Sequence, residues 1–324
     1  MVSVVSDLAF DAKGVAAEFV RARRAAGSFT QYPGSPPPDL DSAYRCQDEA
    51  IALWDDTIVG WKVGWIPEPF SIKYGAQRLV GPIFNRALQR SNGSGSSDAP
   101  VFAGGFAAIE AEFVFQLAKD APANVTEWSA ETARRFVKTM FIGIEIASSP
   151  LKNINDYGPA VVASDFGNNA GLLLGTEVPD WQTRALDELY CETRIDGVVV
   201  GRGNAAAVSG GPLTALAFAL GCNARRGRPL RAGDLVSTGA VTGVHSIRAG
   251  QSAEAIFTAI GSLRCATVPM STRILPSLSP RSFWISRARS RSSRSIWRRS
   301  ISISPNRPGR RGSSTRTGAE ETLI

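Results

Sequence analysis

Two glutamates stand inside an otherwise apolar run, FAAIEAEFVF at residues 106–115. Side chains of a β-strand alternate between two faces, so Glu110 and Glu112 point to one side and their apolar neighbours to the other. Two adjacent carboxylates are costly to bury, because each loses its hydration and repels the other. The pattern therefore predicts a compensating positive charge, which a bound cation would supply.

A third glutamate follows in FIGIEIA at residues 141–147, where the isoleucines face one way and Glu145 the other. Three carboxylates, with water or substrate oxygens completing an octahedron, suit a hard divalent ion such as Mg²⁺ or Mn²⁺. We therefore predict a metal site formed by Glu110, Glu112 and Glu145. The alternative is an amphipathic sheet whose glutamates face solvent.

A lysine occupies a second unusual run, VGWKVGW at residues 59–65. Aromatic and small neighbours can desolvate Lys62, which would lower its pKa and suit it to acid/base chemistry. The alternative is a surface lysine whose ammonium group reaches water from a two-sided strand.

Two polar loops complete the candidate residues. The loop SDFGNNAG (164–171) places an aspartate and two asparagines before an apolar strand, and DLVSTGAVTG (234–243) ends a strand in Ser, Thr and Gly. Such loops can supply backbone N–H groups and hydroxyls to a bound anion or water. The alternative is ordinary turn chemistry.

The elements that must position these residues can be predicted from periodicity and breakers. Residues 12–25 and a second segment capped by Asp41 have helical apolar spacing, and the proline-rich stretch QYPGSPPPDLD separates them. From about Leu79 onward, short apolar runs between glycine-rich turns predict strands, with helices near residues 127–140 and 212–221. These elements predict a mixed, sheet-dominated α+β fold.

Length and composition indicate a globular chain. An apolar fraction of 44% in 324 residues can supply a large core. We expect a cytoplasmic protein without a membrane association, because there is neither an apolar run of about 20 residues nor a signal-peptide pattern at the start. The four scattered cysteines predict reduced, buried side chains, and His245 lies in a strand-like stretch where packing explains it better than a catalytic triad.

Positive charge is concentrated at the end of the chain. Residues 269–324 contain 12 arginines, no lysine and 2 glutamates, whereas the preceding 268 residues have 24 basic and 27 acidic groups. This Arg/Ser/Pro-rich segment predicts a disordered tail. We favour a stretch read in a shifted frame of a GC-rich gene over an RNA-binding arm, because aromatic residues to stack on bases are few. Nucleic-acid binding is therefore not expected.

The order of these motifs resembles the fumarylacetoacetate hydrolase superfamily, in particular its branch of 2-keto-4-pentenoate hydratases and 4-oxalocrotonate decarboxylases. The resemblance covers about residues 8–266. It rests on the three glutamates, with Glu145 about thirty residues after the first pair, and on the motifs AYRCQ (43–47), GWKVG (60–64), LVGPIF (79–84), NAAAVSGGPLTALAFAL (204–220) and GDLVSTG (233–239).

The resemblance implies a fold and a domain organisation. We expect a mixed β-sandwich roll like the C-terminal domain of fumarylacetoacetate hydrolase, preceded by a small helical region. The expected boundaries are residues 1–78 for the N-terminal helical or cap region, 79–268 for the catalytic domain and 269–324 for the tail. The resemblance also implies a homo-oligomer that can associate with a related decarboxylase or hydratase.

The resemblance further implies residue roles. The three glutamates would hold Mg²⁺ or Mn²⁺, which would bind the carboxylate and C2 oxygen of a 2-oxo or 2-hydroxy-dienoic acid and stabilise its enolate as a Lewis acid. Lys62 would be the acid/base group and Asp165 would orient water or relay protons. Thr238, the Gly239 backbone and Asn168 would bind the substrate.

These roles predict a hydratase of aromatic-compound catabolism, which adds water to a 2-hydroxy-2,4-dienoate. After Glu145, however, IEIASSPLKNIND lacks the aspartate and arginine of the hydratase pattern Val-x-Asp-Ser-Arg. Decarboxylation of a 2-oxo-dienedioate and hydrolysis of an acylpyruvate therefore stay open as alternatives. A catalytically silent partner subunit is the alternative outside enzymes.

Overall fold

The computed structural model describes residues 10–272 of the chain. Within this range the helices are α1 (Ala12–Arg24), α2 (Leu40–Leu53), α3 (Phe70–Tyr74), α4 (Ala130–Arg134), α5 (Pro159–Ser164) and α6 (Pro212–Arg225). The strands are β1 (Ile58–Trp65), β2 (Arg78–Phe84), β3 (Leu88–Arg90), β4 (Ser97–Val101), β5 (Phe106–Leu117), β6 (Val137–Ser149), β7 (Asn169–Glu177), β8 (Tyr190–Ile195), β9 (Val198–Asn204), β10 (Leu235–Ala240), β11 (His245–Ser246), β12 (Ser252–Phe257) and β13 (Gly261–Pro269). Short 3₁₀ turns lie at Asn85–Ala87, Ile154–Tyr157, Phe166–Asn168, Leu186–Glu188 and Ala205–Ala207.

The two N-terminal helices form where the apolar spacing places them. Helix α2, however, is capped by Asp39 and not by the expected Asp41. Asp39 has an extended backbone, and its carboxylate accepts the Ser42 N–H at 2.7 Å, whereas Asp41 already lies in the first turn. The cap therefore stands two residues earlier than predicted.

The expected helix near residues 127–140 is wrong for most of its length. Only α4 is helical there, beginning at a capping box in which Ser129 and Thr132 bond each other's backbone N–H groups. From Val137 the chain enters β6, whose residues pair with β5 along nearly its whole length. Pairing with a neighbouring strand thus outweighs the local helical spacing. The second expected helix is present as α6.

The larger sheet has eight strands and carries the three glutamates. Its order is β2-β1-β10-β5-β6-β7-β3, and β11 pairs with β5 outside this path. Strands β5 and β6 are antiparallel neighbours at its centre, and β1 pairs in parallel with β10. Lys62 of β1 and the glutamates of β5 therefore lie on strands that β10 separates.

The second sheet, of order β4-β13-β12-β8-β9, packs against one face of the first. Apolar residues of β5 enter this core, where the Phe113 ring meets Phe257 of β12 edge to face with centroids 5.3 Å apart. The opposite face of the large sheet carries the glutamates, and α5 and the turn Phe166–Asn168 contact it at β2. The α+β class and the mixed β-sandwich architecture are confirmed.

The expected domain limits fall on continuous structure. Strands β1 and β2, which lie on either side of residue 78, are hydrogen-bonded neighbours in one sheet. At the other limit β13 runs to Pro269, and the Met270 N–H donates to the Val101 carbonyl at 2.7 Å. The rest of the predicted tail, from residue 273, lies outside the described residues, as do residues 1–9.

Two further features concern the class of protein. None of the helices in the described range is long and apolar enough to cross a membrane. All four cysteines are buried and unpaired, as expected. His245 lies in β11, where its Nε2 is 3.2 Å from the Thr242 hydroxyl.

Candidate metal centre and active site

The three predicted glutamates form one buried cluster. Glu110 of β5 lies directly opposite Glu145 of β6, and Glu112 lies opposite Gly143, so all three side chains leave the same face of the sheet. One carboxylate oxygen from each lies within 4.8 Å of the others. Glu112 and Glu145 are fully buried, and Glu110 is 7% exposed. The glutamates therefore do not face solvent as in the alternative interpretation.

Each of the two innermost glutamates has one oxygen bound by the protein and one left over. Glu112 Oε2 accepts the Ser237 hydroxyl at 2.5 Å and the Gly239 N–H at 2.9 Å. Glu145 Oε1 accepts the Asn169 side-chain N–H at 2.9 Å. Glu112 Oε1 and Glu145 Oε2 are buried without a hydrogen-bond partner. Because an unpartnered buried carboxylate oxygen is costly, this donor set fits a divalent cation bound between the three side chains.

Carboxylate pKa values show the cost of the cluster without a cation. Burial raises the pKa of Glu110 to about 7. The attraction of Lys62 lowers this pKa in part, and the repulsion of Glu145 raises it further. Burial and the repulsion of both other glutamates raise the pKa of Glu112 well above its ordinary value. A divalent ion would remove this penalty by favouring the charged forms.

Lys62 lies beside the cluster and is almost fully buried. Its Nζ is 3.3 Å from Glu145 Oε1 and donates to Asn168 Oδ1 at 3.3 Å. Burial by itself lowers the pKa of Lys62, but the attraction of Glu145, Glu110 and Glu112 together raises it. The structure therefore does not show the expected lowering, because Lys62 is a cation paired with the carboxylates.

The loop 165–169 is held against the sheet by a close backbone approach. A Cβ on Gly81 of β2 would lie 2.0 Å from the Phe166 carbonyl oxygen, so only glycine fits opposite this turn. The contact places Asn168 beside Lys62 and Asn169 beside Glu145. Both asparagines thus orient groups of the cluster.

Asp165 does not join the other predicted site residues. Its carboxylate accepts Arg23 Nε at 2.6 Å and Nη2 at 2.9 Å, in an ion pair where both side chains are buried. Arg23 comes from α1 and also donates to the Asn169 carbonyl at 3.1 Å. Asp165 is absent from the wall of the cavity beside the cluster. The structure therefore places Asp165 in a buried ion pair that holds the loop, and its role in water orientation or proton relay stays a prediction.

Thr238 and Gly239 line the cavity, but the Thr238 hydroxyl and the Gly239 N–H already donate hydrogen bonds within the protein. The Thr238 hydroxyl donates to the Phe113 carbonyl at 2.7 Å, and the Gly239 N–H donates to Glu112. Gly239 has φ of +110°, a backbone conformation that favours glycine. As arranged here, the two residues support Glu112 and shape the wall; neither presents a free N–H or O–H to a substrate carboxylate.

A cavity of about 670 Å³ opens beside the cluster. Its charged lining residues within the described chain are Lys62, Arg78 and Glu110, and its polar lining includes Asn168 and Thr238. Apolar walls come from residues such as Phe70, Leu79, Val162 and Val208. This combination of an apolar cleft with a few convergent polar groups is typical of a small-molecule site.

Sequence reasoning missed three residues that the site uses. Ser237 and Asn169 bond two of the clustered glutamates, and both belong to the polar loops named from the sequence. No sequence signal identifies Ser237, because its contact with Glu112 depends on the pairing of β10 with β5. Arg78 lines the cavity, and its only sequence signal is a lone charge at the start of a buried strand.

A known family covers most of the described sheets. The family model described as "Fumarylacetoacetate (FAA) hydrolase C-terminal" matches residues 88–268 of this chain. The match includes all three clustered glutamates and lacks Lys62, Arg78 and the N-terminal helices.

Individual relatives carry two different names. A 4-oxalocrotonate decarboxylase from Pseudomonas sp is 30% identical over 161 residues, which cover 49% of this chain and 60% of the relative. A 2-keto-4-pentenoate hydratase from Burkholderia vietnamiensis is 44% identical over 83 residues, which cover 25% of this chain and 32% of the relative. The aligned stretches thus span less than two thirds of either relative.

Among solved structures, the 4-oxalocrotonate decarboxylase from Pseudomonas putida G7 in complex with magnesium and adipate superposes with a TM-score of 0.67. The superposition covers 79% of this chain and 97% of that protein at 19% identity. At this identity the likeness shows a shared fold.

Proposed function

This chain belongs to the fumarylacetoacetate hydrolase family, and we propose that within it the protein is a metal-dependent lyase acting on a 2-oxo or 2-hydroxy-dienoic acid in the breakdown of aromatic compounds. The observation that carries the proposal is the cluster of Glu110, Glu112 and Glu145 with two unpartnered buried oxygens beside a cavity. The names of the relatives supply the substrate class.

A divalent cation held by the three glutamates would supply a Lewis acid for the carboxylate and C2 oxygen of the substrate. Lys62 is positioned as the proton donor of the site, because its ammonium group lies at the cluster, lines the cavity and is oriented by Asn168. The apolar walls would exclude bulk water from the dienoate chain.

Hydration of the dienoate is the first candidate reaction, as the matching motifs predict. Protonation by Lys62 would convert the dienol to its keto form, which makes C4 electrophilic for added water. Decarboxylation of a 2-oxo-dienedioate is the second candidate. It is favoured by the engagement of Asp165 with Arg23, because no carboxylate other than Glu110 lines the described cavity to activate water.

Turnover of two substrates tests these candidates. We expect the full-length protein with Mg²⁺ or Mn²⁺ to consume 2-hydroxypenta-2,4-dienoate, followed by loss of its ultraviolet absorbance, or to release CO₂ from 2-oxohex-3-enedioate. Chelator and Glu112→Gln should each abolish the activity. Glu192→Gln, a carboxylate variant in β8 of the other sheet, should retain it.

Each outcome has a distinct meaning. Metal-independent activity would refute the role of the glutamate cluster. Metal binding without turnover of either substrate would instead support the catalytically silent partner subunit, and adding a related hydratase or decarboxylase would then be the next experiment. The homo-oligomer stays a prediction that sedimentation of the purified protein can test.

A further inference from the structure

Two arginines are buried within residues 10–272, and only one of them has an acidic partner. Arg23 is 4% exposed and is paired with Asp165 at 2.6 Å. Arg78 is 6% exposed, and no carboxylate of the described chain lies within the 4.0 Å of an ion pair. A buried guanidinium without an anion is costly, since it loses hydration and gains no Coulomb attraction in return.

Protein groups fix the orientation of Arg78 but leave most of its donors free. Its guanidinium carbon lies 5.2 Å from the ring centre of Trp65, and its Nη2 donates to the Ser209 carbonyl. A guanidinium has five N–H donors, so several are available to a ligand. Burial also lowers the pKa of Arg78, as expected for a cation without an anionic partner, although arginine remains charged.

Arg78 borders the same cavity as Glu110 of the glutamate cluster. It begins β2 opposite Trp65, whereas Lys62 is opposite Gly81 in the same strand pair. Three residues of strand separate these positions by about 10 Å. Because this spacing is odd, the Arg78 and Lys62 side chains leave opposite faces of the strand pair, yet both border the cavity. An arginine side chain and a substrate of a few carbon atoms can bridge this length. Lys62, Glu110 and Arg78 line one continuous cavity.

We propose that Arg78 binds the distal carboxylate of a dicarboxylic substrate whose 2-oxo acid end is held at the glutamate cluster. Arginine and carboxylate are matched in geometry and can form two parallel hydrogen bonds. Lys62 cannot serve this end, because it is paired with Glu145. The inference rests on the proposed function, since it takes the glutamate cluster as the site of the 2-oxo acid.

The pairing also bears on the reaction. A cation that stabilises the distal carboxylate in the bound substrate loses this interaction if that carboxylate leaves as CO₂. Such an interaction stabilises the ground state more than the transition state and does not accelerate the step. Arg78 therefore favours hydration of a dicarboxylate that keeps its distal carboxylate.

Two ligands of equal chain length test the inference. We would measure the binding of 2-oxoadipate and 2-oxohexanoate to the full-length protein by calorimetry, with and without Mg²⁺. They differ only in the distal carboxylate. We expect the wild-type protein with Mg²⁺ to bind 2-oxoadipate at least about tenfold more tightly, which corresponds to about 1.4 kcal/mol.

Variants of Arg78 test whether this residue causes the preference for 2-oxoadipate. Arg78→Met should bring the affinity ratio of the two ligands to about one while leaving 2-oxohexanoate binding within about twofold, because only the distal contact is lost. Arg78→Lys should retain part of the preference through its charge. Arg225→Met is the matched control and should leave the preference unchanged. Arg225 and Arg78 border the same second surface depression, but only Arg78 also lines the cavity beside the glutamate cluster.

The contrary results are distinguishable. Equal Mg²⁺-dependent affinities for the two ligands in the wild-type protein would overturn the role of Arg78 and leave the metal site standing. Binding of 2-oxoadipate that needs no Mg²⁺ would show that its 2-oxo acid end is not held by the cation at the glutamate cluster, and would also overturn the inference. Failure of both ligands to bind with Mg²⁺ would overturn the proposed function together with this inference.

Discussion

Replacing Arg23 by methionine should destabilise the protein strongly, although Arg23 belongs to none of the predicted catalytic groups. Its guanidinium makes two hydrogen bonds to the Asp165 carboxylate and further ones to the carbonyls of Asn169, Ser148 and Asp165. Methionine would leave the 1% exposed Asp165 carboxylate without its counter-ion. Removing one partner of a buried ion pair costs about 3–5 kcal/mol.

A neighbour on the same helix is a matched control. Arg21 is paired with Glu18 at 2.6 Å, but both side chains are largely exposed. Because exposed pairs are screened by water and salt, Arg21→Met should leave the unfolding midpoint unchanged within experimental error. A double variant, Arg23→Met with Asp165→Asn, should recover part of the loss, because neither charge of this pair then remains buried.

Urea denaturation followed by circular dichroism measures these differences in the free energy of unfolding. A loss below about 1 kcal/mol for Arg23→Met would refute the reasoning, because it would mean that Asp165 finds compensation elsewhere. Mg²⁺ titration of the same variant gives a second measurement. We expect weaker binding, since Arg23 holds Asn169, and Asn169 bonds Glu145.

Two further predictions concern the metal centre. Ser237→Ala should weaken Mg²⁺ binding about 10–100-fold, because Glu112 Oε2 loses the hydroxyl that orients it. Ser148→Ala is the control, since it removes a buried hydroxyl that bonds only backbone groups, and it should leave Mg²⁺ binding unchanged. Equal Mg²⁺ affinities of the two variants in calorimetry would contradict the orienting role of Ser237. Burial raises the pKa of Glu110 to about 7 from an ordinary 4.5, so the folded metal-free protein keeps a proton that the unfolded chain releases. The stability that this proton contributes is therefore complete below pH 4.5 and is lost as the pH rises from there to about 7. Denaturation midpoints in chelator at pH 5 and 8 measure the fall; saturating Mg²⁺ should remove it, and a midpoint that rises with pH would contradict the assignment.

Several features of the site could be predicted from the sequence because they depend on local periodicity. Strand residues two apart share a face, so Glu110 and Glu112 had to lie together. The apolar residues between them had to face the core. The same argument placed Glu145 on the polar side of its strand. The fold class followed from the density of short apolar runs between turns.

Contacts between distant segments were decided only by the tertiary structure. Arg23 and Asp165 are 142 residues apart, and nothing in the spacing of either shows that they form a buried pair. Ser237 reaches Glu112 only because β10 and β5 are neighbours with a bulged register. The pKa of Lys62 is raised, opposite to the predicted lowering, for the same reason: its three carboxylate neighbours come from other strands.

The difference between what the sequence predicts and what only the tertiary structure decides has a physical cause. Backbone geometry fixes which face of a strand a side chain leaves, and this information lies within a few residues of sequence. Burial, ion pairing and pKa depend on the groups that packing brings within a few ångströms, whatever their separation along the chain. The sequence by itself therefore determined which glutamates leave the polar face of their strands. The packed sheets decided which groups support these glutamates and leave Arg78 without a carboxylate at ion-pair distance in the described chain.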